Sequence, residues 1–198
     1  MSVSLVKGQK ISLDKPGGGT LTRVRMGLGW DAIQIQKKGF FGGKKSQDQE
    51  IDLDASCLLL NASNQLVDQV WFQQLKSKDG SVIHTGDNRT GAGDGDDESI
   101  IVNLDQVPAN IETLVFTVNS FTGQNFSQIE NAFCRLVDAT QNGEPELARY
   151  DLTGSGTHTA QIMAKVYRHG GAWKMAALGS ATSGRTVNDL MPAVLACV

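Results

Sequence analysis

The sequence predicts an all-β (mainly β) chain: one two-sheet β-sandwich domain over residues 1–198, with short helical segments and a short C-terminal helix. Three observations carry that expectation. Apolar and polar residues alternate through short segments such as LVFTVNS (Leu114–Ser120), the pattern of a strand that buries one face. Glycine makes up 22 of 198 residues, above the usual ~7%, and it clusters between those segments, where tight turns need it. Helical periodicity is missing between the strands, which excludes a parallel α/β arrangement.

Taken in order, VSLVKGQKISL alternates on both sides of Gly8 and predicts a small hairpin. KPGGGT reads as a turn, and LTRVRMGLGW as a half-buried strand that delivers Trp30 and Asp31 to its end. Lys37–Ser46 (KKGFFGGKKS) reads as a flexible basic insertion, an exposed loop with Phe40 and Phe41 at its tip. Gly43-Lys44 would need glycine where Lys38 stands to form a phosphate-binding loop, so that motif is excluded. In EIDLDASCLLL, Ile51, Leu53, Ala55 and Cys57 share one strand face, and Glu50, Asp52, Asp54 and Ser56 share the other.

The chain then turns at NASNQLVDQ, runs as a strand through VWFQQL, and turns again at KSKDGS. SIIVNLDQVP is a strand ending at Pro108, followed by the core strand around Phe116. Ser127 and Glu130 have the spacing of a capping box, which predicts a helical turn leading into a strand through Phe133, Arg135 and Val137. GEPELARYDL is a further strand, and Gly170-Gly171 between alternating arms predicts a hairpin with a primed two-residue turn. Val187, Leu190, Val194 and Val198 recur at helical spacing; Pro192 limits that helix, being tolerated only in its first turn. The sum is about nine or ten strands, at the even spacing of a sandwich or barrel.

A net charge of −3 and a pI near 5.6 argue against sequence-independent binding of nucleic acid. No apolar run approaches the roughly 20 residues of a transmembrane segment, and the N-terminus lacks a secretory signal, so a cytoplasmic setting is expected. Cys57, Cys134 and Cys197 are scattered and read as structural thiols. His84, His158 and His169 belong to no zinc or hydrolase motif.

The chemistry concentrates in HTGDNRTGAGDGDDE, His84–Glu98. Asp87, Asp94, Asp96, Asp97 and Glu98 face a single cation, Arg89, on a backbone interleaved with Gly86, Gly91, Gly93 and Gly95. Such a cluster repels itself unless a positive charge sits within it, and hard oxygen donors on a bent loop suit Ca²⁺. Asp52 and Asp54 lie about 7 Å apart on one strand face, an unfavourable like-charge pair unless it shares a cation. Asp31 ends a third segment. Neither D-x-D-x-S nor D-x-D-D-E completes an EF-hand, so a site here is composite. A solvated acidic turn, a metal-assisted hydrolase with an open coordination position, and a calcium-dependent membrane adaptor using Phe40 and Phe41 are the competing readings.

GLGWD (Gly27–Asp31), DLDAS (Asp52–Ser56), the run from Asp79 to Glu98, GQNFSQIENAF (Gly123–Phe133), LARYDL (Leu147–Leu152) and VYRHGGAWKM (Val166–Met175) together resemble the TerD family of tellurite-resistance and stress-response proteins. VNSFTGQNF, SGRT and the GFFGG insertion resemble its TerZ branch. The resemblance implies a β-sandwich with Ca²⁺ bound in acidic loops and no established catalytic activity. It also implies partners among other proteins of a tellurite-resistance system, in the bacterial cytoplasm near the inner membrane. The ligand-type positions it carries over are Asp52, Asp54, Asp87, Asn88, Asp94, Asp96, Asp97 and Glu98, with Asp31 beside them.

Overall fold

The computed structural model describes residues 3–4, 6–15, 18–31, 33–38, 44–49, 51–91, 95–152 and 156–198. Its strands are β1 (Val3–Ser4), β2 (Lys10–Ser12), β3 (Arg23–Asp31), β4 (Ile33–Lys38), β5 (Lys44–Gln49), β6 (Leu53–Leu60) and β7 (Leu66–Val70). They continue as β8 (Val82–His84), β9 (Glu98–Asn103), β10 (Thr113–Ser120), β11 (Glu130–Asp138), β12 (Glu146–Asp151), β13 (Ala160–His169) and β14 (Ala172–Thr182). A 3₁₀ turn, Val187–Leu190, runs into helix α1, Met191–Leu195.

Two six-stranded sheets form the sandwich: β1-β12-β11-β3-β9-β8 and β2-β14-β13-β10-β6-β7. Every pairing is antiparallel except β1 on β12. Their inner faces meet in one apolar core holding Leu28, Trp30, Leu53, Phe116 and Phe126, all 2% exposed or less. Truncating a ring as enclosed as Phe116 costs about 3–5 kcal/mol. The two sheets are also tied by polar contacts. The Trp30 indole Nε1, reaching across from β3, donates to the Ile51 carbonyl oxygen at 2.8 Å, one residue before Asp52.

Strand β6 is buried along its whole length, which alternation alone does not predict. Leu53, Ala55, Cys57 and Leu59 enter the main core, whereas Leu58 and Leu60 face outward into a second cluster. There they are covered by Val187, Leu190 and Val194 of the C-terminal helical segment. Pro192 stands in the first turn of α1, where its missing N–H costs nothing. Asp54 and Ser56 therefore begin a face that ends under a helix, and the polar end of that face carries the acidic site.

Five expectations are corrected. The N-terminal segment forms no hairpin, since β1 joins one sheet and β2 the other. The strand expected at VWFQQL lies earlier, at Leu66–Val70, with the turn at 61–65 held by Asn61. Ser127 starts no helix; the Asn125 carboxamide accepts from the Ser127 N–H, and Glu130 already belongs to β11. The strand count of nine or ten becomes fourteen among the described residues, because short edge strands carry too little sequence pattern. Lys37 and Lys38 stand in a β4–β5 ribbon opposite Lys45 and Lys44 rather than in a loop; Phe40 and Phe41 lie outside the described residues. The Gly170-Gly171 hairpin is as expected, both glycines at positive φ (60° and 79°) between His169 and its partner Ala172.

Candidate metal centre

The carboxylates of Asp52, Asp54 and Asp87 come together, each offering an oxygen within 4.8 Å of the others. That is the span of two oxygens on opposite sides of one cation at about 2.4 Å. Asp54 arrives on the outer face of β6 and Asp52 just ahead of that strand, and Asp87 on the loop between β8 and β9. They line a cleft of about 260 Å³ together with Phe72, Arg89 and Phe121. Asp52 and Asp54 are buried; Asp87 and Arg89 form the exposed side.

The electrostatics are those of a site short of positive charge. Burial, with Asp87 and Glu98 adding to it and Arg89 opposing it, pushes the Asp52 carboxyl up to about 6. Burial, then Glu98 and Asp52, push Asp54 to about 8, even though the Asn119 carboxamide donates to its Oδ2 at 2.7 Å. Asp52 Oδ1 and Asn119 Oδ1 are buried without a hydrogen-bond partner. Two orphaned oxygens beside crowded carboxylates suit a hard cation, which takes oxygen and satisfies several acceptors at once. The arrangement can hold a metal ion.

Asp96, Asp97 and Glu98 of the loop have protein partners. Glu98 is 1% exposed. Its Oε2 accepts from the Ala55 N–H of the opposite sheet at 2.8 Å, and its Oε1 from the Asn88 N–H at 3.2 Å. His84 Nε2 lies 3.4 Å from the same carboxylate. Because His84 Nδ1 accepts from Gly86 N–H, the neutral ring carries its proton on Nε2, toward Glu98. Asp97 accepts from the Trp30 N–H at 2.9 Å and from the Asn88 carboxamide at 2.8 Å. Asn88 Oδ1 in turn accepts from Thr90 and Gly91 N–H, folding the loop onto itself.

Asp96 points away from the triad, between the guanidinium groups of Arg25 and Arg135 on the outer face of the first sheet. Gly27 makes that possible, since a Cβ there would fall 2.3 Å from the Asp96 carboxylate. Gly91, at φ +63°, closes on Trp30, where a Cβ would stand 2.4 Å from the indole nitrogen. Asp31, exposed at the end of β3, accepts from the Asn131 carboxamide. Asp94 lies outside the described residues. Of the nine candidate positions, then, the structure brings Asp52, Asp54 and Asp87 together, and gives Asn88, Asp96, Asp97 and Glu98 the work of shaping the loop.

Sequence reasoning passed over Asn119, Phe72 and Phe121 as parts of this site. Asn119 had a signal: a carboxamide on an otherwise apolar core strand is disfavoured unless it has a task there. The aromatic pair had none, because Phe72 and Phe121 meet only through tertiary packing, edge to face at 5.7 Å.

Fold and site together define a two-sheet sandwich with a carboxylate-lined cleft at one end of its second sheet. The TerD domain profile matches residues 1–192, and the chain belongs to the TerD family. It is 48% identical over 196 residues to the tellurium resistance protein TerZ of Serratia marcescens, covering 99% of this chain and 98% of that one. General stress protein 16U of Bacillus subtilis is 43% identical over 192 residues, 93% of each chain. The crystal structure of a TerD homologue from Streptomyces coelicolor shares the fold with a TM-score of 0.70 at 20% identity, covering 86% of this chain and 95% of that one.

Proposed function

We propose that this protein is a calcium-binding, non-enzymatic interaction module of a bacterial tellurite-resistance and general stress-response system. The observation that carries the reading is the convergence of Asp52, Asp54 and Asp87 on one point, with a buried Asp52 oxygen left without a partner. All three donors are hard oxygens, which favours Ca²⁺ over metals that prefer nitrogen or sulfur. Asp52 and Asp54 would hold the ion from the rigid strand side and Asp87 from the loop, so that binding fixes the loop against β6. The system is inferred from the relatives named for tellurium resistance and general stress.

A catalytic role draws less support. No histidine lines the cleft among the described residues; His84 is buried against Glu98 behind it. The ordered loop instead offers a surface to other proteins of the same system, in the cytoplasm and at the inner face of the membrane. No helix among the described residues is long and apolar enough to cross a membrane.

Calorimetry with Ca²⁺ and thermal melts in chelator test the metal. Binding with a raised Tm is expected, worth about 2.7 kcal/mol at a hundred times Kd. Identical melts and no binding heat would overturn the reading. Capture of partners from the native cell with and without Ca²⁺ tests the module, the expected outcome being a calcium-dependent set.

A further inference from the structure

The cleft of the metal centre has a cation at its mouth. Arg89 lines it beside Asp52, Asp54 and Asp87, and makes no salt bridge among the described residues. A positive residue set among three carboxylates does not serve metal binding, because it repels a cation. The rest of the rim is also unlike a closed metal cage. Phe72 and Phe121 stand edge to face, Phe121 is 36% exposed, and the Arg185 guanidinium lies over its ring at 5.5 Å.

The coordination arithmetic points the same way. Ca²⁺ takes about 6–8 oxygens, and this chain gathers three carboxylates around the point. Asp52, a lining residue of the cleft only 8% exposed, carries a buried Oδ1 without a hydrogen-bond partner. Arg89 and Asp87 stand on the exposed side. Three carboxylates against one guanidinium leave a formal charge of −2, which a divalent cation brings to zero. Without the cation the cleft rejects an anion; with it, a ligand oxygen can complete the coordination while a second oxygen meets Arg89.

We propose that the metal-loaded cleft is an anion-binding site that takes a phosphoryl group, one oxygen directed at the bound divalent cation and another at the Arg89 guanidinium, with the Phe72–Phe121 rim beside the group's apolar carrier. The inference rests on the calcium reading above. A phosphoryl group fits because it presents several hard oxygens on one centre, enough to serve metal and guanidinium together. The group can arrive on a soluble ester or on a lipid headgroup, and both share this chemistry.

The experiment uses the full chain, its Arg89→Gln variant and the Asp52→Asn/Asp54→Asn variant. Ca²⁺ binding is measured first by calorimetry, then binding of phenyl phosphate with Ca²⁺ and with chelator. In parallel, the three proteins are sedimented with phosphatidylcholine vesicles with and without phosphatidic acid. The parent is expected to bind the phosphoryl probe only with Ca²⁺. Arg89→Gln is expected to bind Ca²⁺ a few-fold more tightly, having lost a repelling charge, yet to bind the probe at least about tenfold more weakly. Those opposite signs separate a ligand contact from a structural role, which would weaken both. Binding of phenyl phosphate assigns a soluble ester, and sedimentation without it assigns a lipid headgroup. Ca²⁺ binding with neither probe bound, or an Arg89→Gln variant that binds the probe as well as the parent, overturns the anion site alone. Absence of Ca²⁺ binding overturns this proposal together with the calcium reading.

Discussion

Asp87 and Asp97 stand at the two ends of one loop, yet the structure treats them oppositely. Asp97 accepts two hydrogen bonds from the protein, from Trp30 N–H and the Asn88 carboxamide. Its neighbours are equally engaged, Asp96 by two arginines and Glu98 by two backbone N–H groups. Asp87 instead joins Asp52 and Asp54 in a group of like charges whose nearest help is the exposed Arg89. The downstream acids are internal ligands of the fold; the upstream trio is the group that can hold a metal ion. Acidic composition therefore does not mark a metal site. What marks it is which carboxylates the protein has failed to satisfy.

The largest expected effect comes from breaking the satisfied half. Glu98→Ala would strand the Ala55 and Asn88 N–H groups and uncouple the two sheets beside the site. Unfolding in urea should show a loss of about 2–4 kcal/mol, in chelator as well as in Ca²⁺. Next is the unsatisfied half, with the opposite sign. In chelator, Asp52→Asn/Asp54→Asn should be more stable than the parent by about 1–2 kcal/mol, because like charges are removed from a buried place. The same variant should lose the calcium-dependent rise in Tm. A destabilised metal-free variant would show that the pair is already satisfied within the protein.

Titration sharpens the contrast further. Asp52 and Asp54 are raised from 3.8 to about 6 and about 8, so the folded metal-free protein holds protons there that the unfolded chain releases. Their contribution to stability is greatest below the unfolded value and is lost as pH rises through the folded values. Between about pH 5 and 8 the metal-free parent should lose Tm relative to the Asn variant, by a shift of order 3 °C, and saturating Ca²⁺ should remove that slope. Gly27→Ala should cost about 1–3 kcal/mol by driving a methyl group into Asp96. Asp31→Asn, at an exposed strand end, should stay within about 0.5 kcal/mol in either solvent.

The sandwich was legible because strands that bury one face must alternate, and Leu114–Ser120 or the Gly170-Gly171 hairpin leave few other choices. The edges were less legible. β1 and β2 span two and three residues, too short for a period to show, and only tertiary pairing sends them to different sheets. In the site, the Asp52–Asp54 pair announced itself by breaking strand propensity. The split within the loop did not. Nothing local says that Asp96 will reach Arg25 and Arg135, which lie 71 and 39 residues away in sequence. Asn119 joined the site through its pairing opposite Asp54, a register that sequence patterning does not fix.

The Asn88 carboxamide and the Asp97 carboxylate meet at 2.8 Å and pin the acidic loop shut at its base. Asp87 and the strand-side aspartates stand on the protein side of that clasp, and Thr90 and Gly91 fold back on it through the Asn88 carboxamide oxygen. A loop so clasped can change length cheaply, each doubling costing only about 0.6 kcal/mol of closure entropy. Extra residues spliced between Gly91 and Gly95 would leave the strand-borne aspartates and Asp87 where they are. The protein thus has a place where a sensor sequence, a fluorophore or a new recognition peptide can be added to the loop that carries Asp87, at a small entropic cost for its length.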